Sequence, residues 1–131
     1  MIAESTACRE AVLAGRLAFL NTGSLGAAAA RLYGDPRPAS ADELPTSAML
    51  VEIPLQDPAG GVADGALTLR PREPGMIVHS GLATWARFVN RDGVPVFDLD
   101  AGEVGSGAEC ELTTTTLWAG GVVAITSAVL G

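Results

Sequence analysis

Apolar side chains recur at intervals of three and four residues near the start of the chain, as they do along one face of an α-helix. The residues concerned are Val12, Leu13, Leu17 and Leu20. Ser5 or Thr6 can cap the N-terminus of such a helix, and Gly23 is a suitable residue to end it. The pattern predicts an amphipathic helix over residues 5–22. Because so short a helix is marginal on its own in water, we expect it to pack against the rest of the chain.

After this helix the apolar pattern changes to a period of two, which is typical of β-strands. Strands are predicted at 27–34, a short alanine-rich run that begins after Gly26, at 48–55 and at 66–71. The polar, proline-rich segment between the first two strands is predicted as a loop. QDPAGGVADG, residues 56–65, is predicted as a turn.

Two hairpins are predicted in the C-terminal half. In the first, LATWARFV and VPVFDLD flank NRDG, where Asp92 and Gly93 are the residue types that a tight turn requires. Trp85 and Phe88 fall on opposite faces of its first strand, so the strand is either central in a sheet or in contact with a partner. In the second hairpin, AECELTTTTLW and GGVVAITSAVL surround AGG.

Strands that recur with turn signals and without helices between them indicate an antiparallel sandwich or barrel preceded by one helix. We predict a mainly β fold, an antiparallel β-sandwich of the jelly-roll type with one N-terminal α-helix. The length suits a single domain over residues 1–131, and we find no internal repeat or linker.

The composition is poor in charge. Charged residues make up 18% of the chain, against about a quarter in typical domains, and hydrophobic residues 48%. Such a surface favours self-association or docking on a partner, although alanine and glycine also raise the apolar content without forming sticky patches. The net charge is −7, and the eight basic residues are scattered arginines. We expect neither nucleic acid nor an anionic membrane as a partner, because both bind clustered positive charge.

The N-terminal region carries Glu4 and Glu10 and lacks the basic start and apolar run of a signal peptide. No apolar stretch reaches the ~18 residues of a membrane-spanning helix, so the sequence predicts a soluble protein made in the cytosol. Cys8 and Cys110 lie far apart, outside any C-x-x-C motif and away from histidine. The spacing favours two buried free thiols over a disulfide.

The segment DLDAGEVGSGAE has the outline of a calcium-binding EF-hand loop, with Asp98, Asp100 and Glu109 at positions 1, 3 and 12. Position 5 is glycine where a ligand is needed, position 6 is glutamate where the turn needs glycine, and both flanks alternate like strands. We therefore predict no metal site. The segment is interpreted as a strand end and a flexible loop, with both aspartates facing solvent. These three carboxylates stay the candidates for a calcium site of another kind.

The sequence shows no recognisable catalytic constellation. The sole histidine, His79, precedes Ser80, and neighbours in a strand point to opposite faces, so the two are poor partners in a Ser-His-acid triad. Paired carboxylates for glycoside hydrolysis can be sought among Asp98, Asp100, Glu109 and Glu111, but the few aromatic residues do not suffice for a sugar-binding cleft. Phosphate-binding glycine motifs are absent from the sequence. We predict neither an enzyme nor a cofactor.

Trp118 lies at the turn of the second predicted hairpin, where an indole is often partly exposed. It is either a contact residue or a cap on the end of the core. Tyr33, Trp85 and Trp118 are the candidate interface residues. The alternative function, a carbohydrate- or small-ligand-binding β-sandwich, requires these side chains to be exposed around a concave site.

Two segments, SGLATWARFVNRDGVPVFDLDAG (80–102) and LTTTTLWAGGVVAITSAVLG (112–131), resemble a family of small virion structural proteins encoded by bacteriophages and prophages. The shared arrangement is G-x-A-T-W-A-R, an x-D-G turn, and T-x-L-x-A-G-G before a final strand; RLYGDPRP and LVEIPLQDPAG fit its earlier strands. The resemblance implies a capsid decoration (cement) protein or a neck or tail component. It also implies a homo-oligomer that binds capsid or tail subunits, located in the virion after synthesis in the bacterial host cytoplasm. No catalytic residue is implied.

Overall fold

A computed structural model describes residues 3–131 as one helix and eleven strands. The elements are α1 (Thr6–Leu20), β1 (Ala29–Tyr33), β2 (Val51–Ala63), β3 (Ala66–Pro71), β4 (Gly75–Met76), β5 (Gly81–Leu82), β6 (Trp85–Val89), β7 (Pro95–Glu103), β8 (Cys110–Leu112), β9 (Thr116–Leu117), β10 (Val122–Val123) and β11 (Ile125–Leu130). Seven strands close into a barrel in the order β1-β2-β3-β11-β8-β7-β6. Neighbours in the barrel are antiparallel except β7 and β8, which are parallel.

The predicted antiparallel sandwich or jelly roll is therefore wrong, although the fold is mainly β with one helix as expected. Strand β11 pairs with β3 on one side and β8 on the other, and β1 pairs with β2 and β6. These pairings join the strands into one closed sheet with no free edge. Inward and outward residues alternate in the same way in a sandwich and in a barrel, so the local pattern does not distinguish the two.

Helix α1 covers one end of the barrel. Ser5 caps it by accepting a hydrogen bond from the Cys8 N–H at 3.1 Å, and the helix ends at Leu20 with Asn21 as its C-cap, two residues before the predicted Gly23. Of the predicted apolar stripe, Leu13 and Leu20 are buried in the core and Leu17 packs against it, whereas Val12 is 42% exposed. The helix packs on the barrel through this narrower stripe.

The turns that meet the helix fix its position. Glu10 accepts a hydrogen bond from the N–H of Gly65 in the β2–β3 turn at 3.1 Å. After the helix, the Ser24 N–H donates to Asp92 in the β6–β7 turn at 3.0 Å. The β6–β7 hairpin is confirmed as predicted, with Gly93 at φ +81°.

Strand β2 continues through the segment that was predicted as a turn. Its register against β3 shifts between Leu55 and Gly60, which marks an irregular bulge in the strand. The chain reverses only at Asp64 and Gly65, which both have positive φ (54° and 76°), as a tight hairpin turn requires. Pro58, Gly60 and Gly61 therefore lie at a bulge within β2 and not in a turn that ends the strand.

Strands β7 and β8 are parallel and are joined by a short loop. Parallel neighbours usually need a connection of a dozen or more residues. Gly105 and Gly107 adopt positive φ (85° and 83°), and a side chain at Gly102 would collide with Ser106. The glycines of the segment that resembles an EF-hand loop are therefore required by the tight connection between β7 and β8.

Candidate interaction surface

The end of the barrel opposite to α1 is closed by two connections that pair with each other. Residues 75–82, between β3 and β6, run antiparallel to residues 116–123, between β8 and β11. Met76 lies opposite Val122 in the β4–β10 pair, and Leu82 lies opposite Thr116 in the β5–β9 pair. We call these two segments the apolar ribbon.

Backbone hydrogen bonds link the two segments between the short strands as well. The Ile77 N–H donates to the Gly121 carbonyl, and the Gly120 N–H donates to the Ile77 carbonyl, both at 2.8 Å. The Ala119 N–H donates to the Ser80 hydroxyl at 2.9 Å. The second predicted hairpin is accordingly only partly correct: its outer parts pair as β8 and β11, but its inner parts pair with the 75–82 segment instead.

The ribbon is apolar on both of its faces. Ile77, Leu117 and Val123 point into the core and are at most 4% exposed. The opposite face carries large apolar side chains that are 52% to 70% exposed: Met76, Val78, Leu82, Trp118 and Val122. An antiparallel ribbon with one face on a core normally presents polar side chains to water, so this outward face is unusual.

The ribbon also lies in the uncharged part of the chain. Residues 74–86 and 112–131 contain no Asp, Glu, Arg or Lys, so all the formal charges lie elsewhere. The one titratable side chain in the ribbon is His79, whose Nδ1 lies 2.9 Å from the Met49 carbonyl. Depletion of charge together with Met and Trp is the composition of the buried centre of protein–protein interfaces.

Contacts with the start of β2 and with Leu50, the residue before it, hold the ribbon in place. The N–H groups of Val78 and His79 both donate to the Leu50 carbonyl, at 2.8 and 3.3 Å. A side chain at Gly75 would collide with Val51 and Ile53, so glycine is required for this close approach. The outward face is therefore presented on a fixed backbone.

Of the three predicted interface residues, only Trp118 lies on this surface. Tyr33 and Trp85 stack on each other on the outer side of β1 and β6, with ring centroids 4.7 Å apart, and are 7% and 0% exposed. The Trp85 indole N–H donates to the Gly34 carbonyl at 2.9 Å. Burial raises the pKa of Tyr33, against the opposing effect of nearby Arg31. Neither ring is available for contact from solvent.

These two rings are covered by the long loop between β1 and β2, which Arg87 fastens to the barrel. The guanidinium donates to the carbonyls of Glu43 and Ser40 at 2.6 and 3.3 Å, and lies 5.4 Å from the centre of the Trp85 ring. It also makes two hydrogen bonds to Asp98, at 2.8 and 3.0 Å. The hydrogen bond to Asp98 raises the pKa of Arg87.

The prediction that Asp98 faces solvent is therefore wrong, since its side chain is only 5% exposed. Asp100 lies on the same outer side of β7 and is exposed as predicted, with 70% of its side chain accessible, and it forms an ion pair with Arg37. Glu109 does not join them: residues 3–131 contain no group of three His, Cys, Asp or Glu side chains arranged to hold a metal ion. The structure thus gives the two aspartates partners within the chain.

The remaining candidate groups also lie apart. His79 and Ser80 bond to the Met49 carbonyl and the Ala119 N–H respectively, and not to each other. Both cysteines are free thiols, but only Cys110 is buried, so the expectation for Cys8, which is exposed on α1, is wrong. Burial raises the pKa of Cys110 to about 12, which keeps this thiol protonated at neutral pH.

A surface cavity of about 480 Å³ lies at the helix end, between the segment that follows α1 and β2. Its polar lining includes Asp57, Arg72 and Arg91, and it contains no aromatic side chain. Arg91 is bound to the Gly26 carbonyl at 2.9 Å and lies 3.8 Å from Asp57. The aromatic cleft that the carbohydrate-binding alternative requires is not formed here.

Comparison of the chain with protein-family models, curated proteins and solved structures finds no match. The resemblance to phage structural proteins therefore stays a prediction. Within residues 3–131, no helix combines the length and apolar character needed to cross a membrane.

Of the five outward side chains of the ribbon, the sequence predicts only Trp118 as an interface residue. The other four lie in two long runs without a charged residue, at 74–86 and 112–131, and these runs are the sequence signal that could have indicated them. Arg87 gave no such signal, because the loop carbonyls that it binds lie more than forty positions away in the chain.

Proposed function

We propose that this chain is a structural protein that assembles with other proteins through the apolar ribbon. The observation that carries the proposal is the outward face of the ribbon, which is apolar and uncharged although it faces water. Its five side chains together expose on the order of 600 Å², the upper end of the largest apolar patch on a typical monomer.

The size of this face suits a stable contact. A standard protein–protein interface buries about 800 Å² on each partner, and this face would supply the larger part of that area. Burial of apolar surface is the main favourable contribution to most protein association. Hydrogen bonds to the Leu50 carbonyl hold the backbone of the ribbon before any partner binds.

We propose further that the assembly is a phage or prophage virion, with the chain as a capsid decoration (cement) protein or a neck or tail component. The resemblance supports this because its second motif, Thr115–Gly121, lies almost entirely in the ribbon. The first motif, Gly81–Arg87, begins at the end of the ribbon and continues into β6. A decoration protein stabilises a lattice by adding buried area at many symmetric positions.

The test is incorporation into particles. We expect the gene to lie beside capsid, portal or tail genes, and the protein to co-sediment with purified particles in stoichiometric amounts. Val122→Asp, which puts a carboxylate on the ribbon, should abolish incorporation, whereas Val94→Asp, the same change in the exposed β6–β7 turn, should not. Particles that contain none of the wild-type protein would refute the virion proposal.

A further inference from the structure

We propose that the ribbon binds the ribbon of a second copy of this chain, face to face about a two-fold axis. This inference rests on the proposed function of the ribbon as a contact surface, and it adds the identity of the partner.

The outward face of the ribbon can recognise only an apolar, uncharged surface. A basic or acidic partner would be selected by opposite charges on the face, and residues 74–86 and 112–131 supply none. The matching surface is itself apolar and uncharged. A two-fold contact places each patch against an identical one. An uncharged ribbon meets this condition, because it needs no opposite charge on its partner.

The distribution of charge over the molecule permits this contact. Each copy carries a net charge of −7, and like charges on two copies repel each other. The fifteen acidic residues of each copy all lie outside the two facing segments. Contact between the ribbons therefore places no carboxylate side chain of these segments against another.

The area of the ribbon face is close to what a dimer interface needs, since a standard protein–protein interface buries about 800 Å² on each partner. The five outward side chains supply on the order of 600 Å² of this, and the exposed backbone and neutral polar groups of the ribbon, such as Ser80 and Thr116, supply a polar rim. The face is thus large enough for a dimer without help from another part of the chain.

Sedimentation velocity of the purified full-length chain at micromolar concentrations tests the inference. We expect a species of twice 13.3 kDa for the wild type. Val122→Asp in β10 and Leu82→Asp in β5 lie at the two ends of the ribbon, and each should raise the dimer dissociation constant by about a hundredfold or more, because an unpaired carboxylate would be buried. Val94→Asp adds the same charge at the helix end and should leave the dimer intact. Circular dichroism and thermal unfolding check that each variant is folded.

Intrinsic fluorescence gives a second readout, because Trp85 is buried in the monomer and Trp118 is 70% exposed. Emission should shift to shorter wavelength as the wild type associates, and Trp118→Phe should remove the shift. A wild type that stays monomeric, or a dimer that Val94→Asp dissociates as much as Val122→Asp does, would overturn the inference. A monomer that still enters particles through its ribbon would overturn it and leave the proposed function standing, since the partner would then be another subunit. A ribbon dimer that is absent from particles would support the inference and refute the virion proposal.

Discussion

Replacing Arg87 by methionine tests how the β1–β2 loop is held on the barrel. Arg87 is 3% exposed, and its guanidinium makes two hydrogen bonds to Asp98 and two to carbonyls of the loop. Methionine keeps much of the aliphatic volume but removes every one of these bonds. Asp98, with 5% of its side chain exposed, is then left as a buried carboxylate without its cation.

Removing one partner of a buried ion pair costs about 3–5 kcal/mol, a large part of the roughly 5–15 kcal/mol that stabilises a domain of this size. We therefore expect Arg87→Met to lower the free energy of unfolding by about 4 kcal/mol. The double variant Arg87→Met with Asp98→Leu should recover much of this loss, because no buried charge is left without a partner.

Urea denaturation of the two single variants and the double variant measures these values as a double-mutant cycle. Arg31→Met is the control: its ion pair with Glu52 is as short, 2.7 Å, but the two side chains are 32% and 46% exposed, so the expected cost is below about 1 kcal/mol. Equal losses for Arg87→Met and Arg31→Met would refute the argument, as would a double variant whose loss equals the sum of its single losses.

Four further outcomes follow from the structure. Stability should fall as pH rises from 9 towards 12, because the Cys110 thiol, with an ordinary pKa of 9.0, stays protonated in the fold up to about 12 while the unfolded chain ionises. Cys110→Ala should reduce this fall in a pH series of thermal unfolding curves, and the buried Tyr33, whose pKa is also raised, should account for part of what is left. A thiol reagent should label Cys8 alone in the native protein and both cysteines in urea, and labelling of both in the native state would contradict the burial of Cys110. Gly75→Ala should lower the melting temperature by several degrees, since the added methyl group collides with β2. Gly105→Ser meets no neighbouring atom, so any fall in its melting temperature should come from the positive φ of this position alone. Millimolar calcium should leave the melting temperature unchanged, and a rise of several degrees would restore the calcium site at residues 98–109 as a hypothesis.

The elements that the sequence predicts well are those defined by neighbouring residues. The helix follows from an apolar spacing and a Ser5 cap, and the β6–β7 hairpin follows from the turn residues between two β-rich runs. The predicted strand at 48–55 is correct over residues 51–55, but its predicted end is wrong. Pro58 and two glycines are turn signals in isolation, whereas in the fold they belong to a bulge that pairs with β3 and is bound by the C-cap residue Asn21.

Closure of the barrel depends on pairs such as Val129 with Thr68, which are far apart in the chain and leave no local signature. The candidate surface was only partly predictable for a similar reason. Trp118 stands out as an aromatic residue at a turn, but Met76 and Val122 look like ordinary strand residues until the fold places them opposite each other on the outside.

Both ends of the described chain lie at the helix end of the barrel. Thr6, at the start of α1, and Gly131 both approach Gly65 in the β2–β3 turn. A protein fused to either end would extend from the side opposite the ribbon and would leave the ribbon free to bind its partner. Two copies joined through their ribbons would therefore carry their fused proteins at the two far ends of the dimer.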